Sequence, residues 1–175
     1  MSDTTENTCV SVDLSAETDR VQTGRLPRYN YLVRIIEEPI FKLAKSCGNP
    51  MLVFKVEVDE PGTVDVKGDT FKTLGIQLSV YAAFTKDEET GVEINRTLGK
   101  IHKACDLPMR FSRCKDTGLP QNDEGVPIRY LGLEFWIQGD SEERTQMDDN
   151  DQPITNPVTG EVLKGWSYNV RQIYA

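Results

Sequence analysis

The chain is short of nearly everything by which enzymes are recognised. It holds one histidine and four cysteines in 175 residues, and no GxSxG elbow, Walker loop, HExxH pair or kinase signature occurs. Cys9, Cys47, Cys105 and Cys114 form no CxxC pair and no dense framework, which points to reduced thiols in a cytosolic compartment. No apolar run reaches the roughly 20 residues that cross a bilayer, and the polar N-terminal segment lacks the basic and apolar regions of a signal peptide. The expectation is a non-enzymatic protein without cofactor, metal or membrane partner, located in the cytoplasm, or in the host cytoplasm if the chain is viral.

Two metal readings compete with that expectation. His102, Cys105 and Cys114, with Cys47 as a fourth ligand, are residue types that tetrahedral zinc accepts, but adjacent ligand pairs are missing and Cys105 also fits the buried face of a helix. Asp148-Asp149-Asn150-Asp151 lacks the spaced ligands and glycine of a calcium loop. A carboxylate-metal nuclease is the third functional class in view, and no residue singles out its site.

Positive charge is also scarce. The formal net charge is −8, which taken alone argues against nucleic acid, because phosphate binding depends on Lys and Arg displacing counterions. The deficit is localised, however. Residues 1–24 hold −4 and residues 139–152 hold −5, which leaves the remainder at +1. A near-neutral body with two acidic segments is compatible with nucleic-acid binding that those segments moderate, and equally with acidic segments that only confer solubility.

What is present is β-strand periodicity. In Tyr29–Val58, alternation places Tyr31, Val33 and Ile35 on one face and Leu32, Arg34 and Ile36 on the other, then Leu52, Phe54, Val56 and Val58 together on one face. Gly48-Asn49-Pro50 supplies the turn between them. A third strand region spans about Thr70 to Phe84, with a short extra strand at Thr63 to Val66 and Gly75 marking a bend. Ile94, Leu98, Ile101 and Cys105 then fall at helical spacing, and Leu107-Pro108 stops the helix. Residues 107–128, with three prolines and two glycines, read as loop. A fourth strand, Arg129 to Gln138, has Leu131, Leu133, Phe135 and Ile137 on the core side and Tyr130, Glu134 and Trp136 opposite; a fifth runs from Glu161 to Tyr174.

The order β-β-β-α-β-β predicts a mainly β chain built as a five-stranded OB-fold barrel, with residues 1–26 a flexible acidic arm, 27–175 the barrel domain and 139–160 an acidic loop inserted before the last strand. Such barrels grip single strands with cations that track the backbone and aromatic faces that stack on bases. The candidates are Arg34, Lys42, Lys45, Lys55, Lys72 and Arg129 for the backbone, and Tyr81, Tyr130 and Trp136 for stacking. Packing of Trp136 and Tyr81 beneath the acidic loop is the structural alternative. A second basic cluster, Lys100, Lys103, Arg110, Arg113 and Lys115, reads as a solvated helix face or as phosphate contacts.

The segment Lys45-Ser-Cys-Gly-Asn-Pro-Met-Leu52, preceded by Tyr-x-Val-x-Ile and followed by Phe54-x-Val56, resembles the Ser-Gly-Asn-Pro-Met turn of phage-encoded single-stranded DNA-binding proteins of OB fold. The helix ending Lys103-Ala-Cys-Asp-Leu-Pro108 is similar to theirs. The resemblance covers about thirty residues plus the helix. It implies non-sequence-specific binding of single-stranded DNA in phage replication or recombination, with groove-edge contacts at Lys45, Asn49 and Lys42; replication or recombination proteins are separate candidate partners of the acidic segments, and the sequence leaves a homo-oligomer open. Unlike relatives of this general kind that end in an acidic tail, the chain carries its acid between the last two strands. That position makes the acidic loop a competitor for the groove or a docking site. The alternative function is a protein-interaction module on the same barrel.

Overall fold

The computed structural model describes residues 21–148 and 150–174. In chain order these form β1 (Val21–Thr23), β2 (Tyr29–Ile35), β3 (Ile40–Leu43), β4 (Pro50–Glu60), β5 (Thr63–Val66), β6 (Asp69–Lys72) and β7 (Gln77–Ala83). There follow β8 (Thr85–Lys86), β9 (Glu93–Ile94), α1 (Arg96–Ala104), β10 (Ser112–Arg113), β11 (Pro120–Gln121), β12 (Glu134–Thr145) and β13 (Lys164–Tyr174). Among the described residues the fold is mainly β with one short helix, and its principal sheet is antiparallel.

β4 organises that sheet. Leu52, Phe54, Val56 and Val58 are fully buried, whereas Met51, Val53, Lys55, Glu57 and Asp59 between them keep partial exposure, the pattern that strict alternation requires. Its 11 residues are long enough to take two partners in succession along one edge. β3 pairs with Pro50–Val53 and β2 with Val56–Glu60, while β7 pairs with Met51–Glu57 on the other edge. The break between β2 and β3 falls at Pro39, which has no N–H to give a ladder. Beyond β2 lie β12 and then β13, so the strand order is β13–β12–β2/β3–β4–β7. Among the described residues no ladder joins β7 to β13, and the sheet stays open where the expected barrel would close.

The inner face carries Tyr31, Val33, Ile35, Phe54, Val80, Phe135 and Ile137, and Leu98 and Ile101 of α1 cap it. Asn95 fixes the helix at both levels: its side-chain oxygen accepts from Leu98 N at 2.9 Å, and its amide donates to Ala82 O of β7 at 2.9 Å.

Several boundaries differ from the sequence reading. The region Thr70–Phe84 is two strands in two sheets, because Thr73–Ile76 turns between β6 and β7 with Gly75 at φ 78°. β6 joins β5 antiparallel and β1 parallel. Residues 1–20 of the expected flexible arm lie outside the described residues, but Val21–Thr23 form β1 and Leu26 is buried, its backbone exchanging two hydrogen bonds with Ser141 Oγ at 2.8 and 3.0 Å. The Arg25 guanidinium sits between the rings of Phe71 (5.0 Å) and Trp166 (5.7 Å), tying the β5–β6 hairpin to β13.

The expected loop at 139–160 begins instead as strand. β12 continues to Thr145 and pairs with β13 from Lys164 to Val170, so the two project as an arm, with the bulge between Gln138 and Gly139 leaving Arg171 unmatched. The backbone ladder carries the extension, and charge pairs line it. Arg171 Nε donates to Asp140 at 2.8 Å and Lys164 Nζ meets Glu143 at 2.9 Å across the ladder, while Arg144 meets Glu142 alongside. Burial alone would raise the Asp140 carboxyl, but the hydrogen bonds from Arg171 and Asn169 hold it below the usual carboxylate range.

Candidate nucleic-acid interface

The outward face of β4 follows from the same alternation that fills the core. Cross-strand pairing puts Ile40, Val53 and Tyr81 in one row over β3, β4 and β7, and Lys42, Met51 and Ala83 in the next. Lys55 and Ser79 form the adjoining row. The Tyr81 ring is 61% exposed, with Val53 directly opposite. The β3–β4 turn carries Lys45 and Asn49 at the edge of this face; Gly48, at φ 69°, donates to Ala44 O at 2.7 Å, and Asn49 O accepts from Ala44 N at 2.8 Å. Lys42, Lys45, Asn49, Lys55 and Tyr81 are therefore gathered by the tertiary structure.

The cations of this face differ in their freedom. Lys42 and Lys45 enter no ion pair among the described residues. Lys55 Nζ lies 2.7 Å from Glu37, with both side chains about half exposed. A pair of that kind is worth less than about 1 kcal/mol, so it leaves Lys55 little committed to Glu37.

The other sequence candidates are elsewhere. Arg34 points outward from β2 but is held by Asp59 at 3.2 Å and Glu57 at 3.8 Å. With Glu60 and Glu134, these carboxylates form an acidic belt across β2, β4 and β12. Trp136 is outward, as expected, and 44% exposed, but it lies beyond that belt, opposite Leu32 and Tyr174. It lines a cleft with Arg28, Tyr29, Asn30 and Gln138. Along β4, the pairing position of Leu32 at Glu60 is seven residues from Val53, roughly 24 Å at about 3.4 Å per residue. Lys72 belongs to β6 in the separate sheet. Arg129 is highly exposed and lies 3.8 Å from Glu38.

Tyr130 is not an outward aromatic. It is fully buried, edge-on to Phe54 with ring centroids 5.1 Å apart, while Leu131 is 59% exposed. The fourth strand starts only at Glu134, and Gly132 at φ 83° turns the preceding residues, so alternation does not run back through 129–133. Burial pushes the Tyr130 phenol well above its ordinary range.

The proposed zinc ligands are not assembled either. His102 is buried with both ring nitrogens engaged: Nδ1–H donates to Pro108 O at 2.5 Å, since a carbonyl can only accept, and Nε2 then accepts from the Tyr130 hydroxyl at 2.8 Å. Burial holds the imidazole below its ordinary pKa. Among the described residues no His, Cys, Asp and Glu side chains gather into a metal-ligating group. Cys9 lies outside the described residues. No helix of the described chain is long and apolar enough to cross a membrane.

The second basic cluster divides. Arg113 is consumed structurally, bonded to Glu93 at 2.9 and 3.2 Å and stacked on Phe41 and Phe84. Lys100 and Lys103 stay exposed on the outer side of α1, opposite buried Leu98 and Ile101. Their helical spacing was visible in the sequence; that Lys100 borders the same region as Tyr81 was not. Comparison of the chain with models of protein families, with curated proteins and with solved structures yields no match, so the functional reading rests on the geometry of the β4–β7 face itself.

Proposed function

We propose that the chain binds single-stranded DNA without sequence preference on the outward face of β4 and β7, as a non-enzymatic protein that protects or organises single strands in replication or recombination of the phage type. The observation that carries this reading is Tyr81: an aromatic residue 61% exposed on the edge strand β7, directly across from Val53, on the face that also presents Lys55 in the adjoining row and Lys42 beyond β4. A base stacked on such a ring gains about 1–3 kcal/mol, and every base has a face to offer. Ile40, Val53 and Met51 continue the apolar floor around it.

The strand order supports an open barrel of OB type. Counting β2/β3, β4, β7, β12 and β13 as the five principal strands, the order is third, second, first, fourth, fifth, with α1 between the third and fourth. Barrels of this kind are often partly open, and the face of their second and third strands, here β4 and β7, is where oligonucleotides lie.

A second reading, a module that docks protein, is favoured by the tip of the β12–β13 arm. Met147, Val158 and Val162 are 54%, 90% and 45% exposed there, in a stretch, 146–163, with four acids and no base. Anisotropy titration of labelled oligo-dT, with a duplex control, two salt concentrations and EDTA present, separates the two. Salt-sensitive binding that prefers the single strand and is weakened by Tyr81→Ala supports the first; absence of binding at low salt leaves the docking module.

A further inference from the structure

β7 and β13 flank the open side of the sheet, and α1 lies beneath the gap between them. The result is a cleft of about 360 Å³ lined by Tyr81, Thr97, Lys100, Asn169, Arg171 and Gln172. Tyr81 is shared: its position on β7 faces Val53 on the proposed binding face, and it also forms the near wall of the cleft. No carboxylate side chain lines the cleft. Arg171 is already bonded to Asp140, but Lys100 and its neighbour one turn on, Lys103, enter no ion pair among the described residues.

α1 has three exposed cations, Arg96, Lys100 and Lys103, and no acid, while its histidine, His102, is buried. Like charges three or four residues apart weaken a helix by a few tenths of a kcal/mol each, and a Glu in the first turn would have offset them. Lys100 and Lys103 therefore present a cationic edge that an anion can meet.

We propose that the β7–β13 seam and the Lys100–Lys103 edge of α1 form a second phosphate-contacting segment, so that a single strand stacked at Tyr81 turns there and leaves along the helix. The inference rests on the β4–β7 reading above and names the path by which the strand departs. The ligand chemistry is a run of phosphodiesters: a lone phosphate would satisfy Lys100 but not reach both lysines and the stacking ring together. The polar groups left to the seam, Thr97 and Gln172, are uncharged and accept any sequence, while the Asn169 amide is given to Asp140 and Glu142.

The test compares (dT)5, which covers the β4–β7 face, with (dT)15, which reaches the helix, using wild type and Lys100→Gln/Lys103→Gln. Single strands lose affinity with salt at a logarithmic slope of about 0.7 per phosphate contacted. The double variant is expected to keep wild-type affinity for (dT)5, and on (dT)15 to lower the slope by about 1.4, so that raising salt fourfold costs it about 7-fold less affinity than it costs wild type. Both side chains are exposed and Gln is a good helix former, and Lys100→Glu alone, with an unchanged thermal midpoint, serves as a second variant. An unchanged slope on (dT)15 overturns the second segment and leaves the β4–β7 face standing. Equal loss on both lengths also overturns it, because the lysines then act as a diffuse field. Failure of wild type to bind either oligonucleotide overturns the underlying face as well.

Discussion

Tyr130 and His102, 28 residues apart in sequence, are joined by a 2.8 Å hydrogen bond between phenol and Nε2 in the buried space between α1 and the sheet. Burial favours the neutral imidazole, in which Nδ1–H is given to Pro108 and the unprotonated Nε2 accepts from the phenol. A histidine whose folded pKa is depressed binds its proton more readily in the unfolded chain. Its contribution is therefore complete above the ordinary value of 6.5 and is lost as pH falls below it. As this is the only histidine, urea unfolding at pH 7.5 and 5.5 should show a stability loss that His102→Gln largely abolishes. Asp140, held low by Arg171, contributes above its unfolded pKa and is lost only at much lower pH, so the two windows separate.

Gly118 is buried against the face of Phe41. A Cβ there would lie inside van der Waals distance of three ring carbons, and φ is 70°, where L-residues are strained. Overpacking and strain together should make Gly118→Ala destabilising by about 2–4 kcal/mol. Gly160→Ala is the matched control: its φ is 72° and its Cβ would meet nothing within 4 Å, so only the strain of about 1 kcal/mol remains. Denaturant midpoints of the two variants measure the difference.

Tyr81→Ala should weaken oligo-dT binding by about 1–3 kcal/mol, or roughly 5- to 150-fold, while Tyr81→Phe keeps the stacking face and stays within about 2-fold. Trp136→Ala, across the acidic belt, should leave affinity within about 2-fold as well. A large loss with Trp136→Ala and none with Tyr81→Ala, read by anisotropy, would move the site to the Trp136 cleft.

The arm should not act as a competitor for the groove of its own chain. Three of its carboxylates are already paired, and Lys164, where the ladder ends, is seven residues along β13 from Arg171 at the seam, roughly 24 Å at about 3.4 Å per residue. The Debye length at physiological salt is about 8 Å. Replacing Met147–Glu161 by Asn-Gly should therefore change oligo-dT affinity by less than about 2-fold at 0.15 M salt. A several-fold gain would restore the competitor role.

Much of the inner face was legible without a structure. The alternations through Tyr31–Ile35, Leu52–Val58, Leu78–Ala82 and Phe135–Ile137 bury the residues that they predict to be buried, because the two-residue period belongs to the extended backbone itself. The helical spacing of Ile94, Leu98, Ile101 and Cys105, and Leu107-Pro108 after them, mark the helix for the same local reason, whereas the Asn95 cap was seen only in the structure. Alternation failed at Tyr130 and Leu131, where Gly132 resets the backbone and a pattern carried back through the turn inverts the faces.

The sequence by itself thus determined the apolar faces of the principal strands and where the helix of the described chain sits, but not every strand boundary, since 139–145 are strand and 129–133 are not. Tertiary structure decided the rest: that β4 serves three partners, that Lys42, Lys45, Lys55 and Tyr81 share a face while Trp136 and Lys72 do not, and that the acidic segment is a paired arm. Those outcomes depend on pairings such as Asp140 with Arg171 and Leu26 with Ser141, 31 and 115 residues apart. Periodicity specifies the face of a strand, but only the closure of such distant contacts specifies its neighbour.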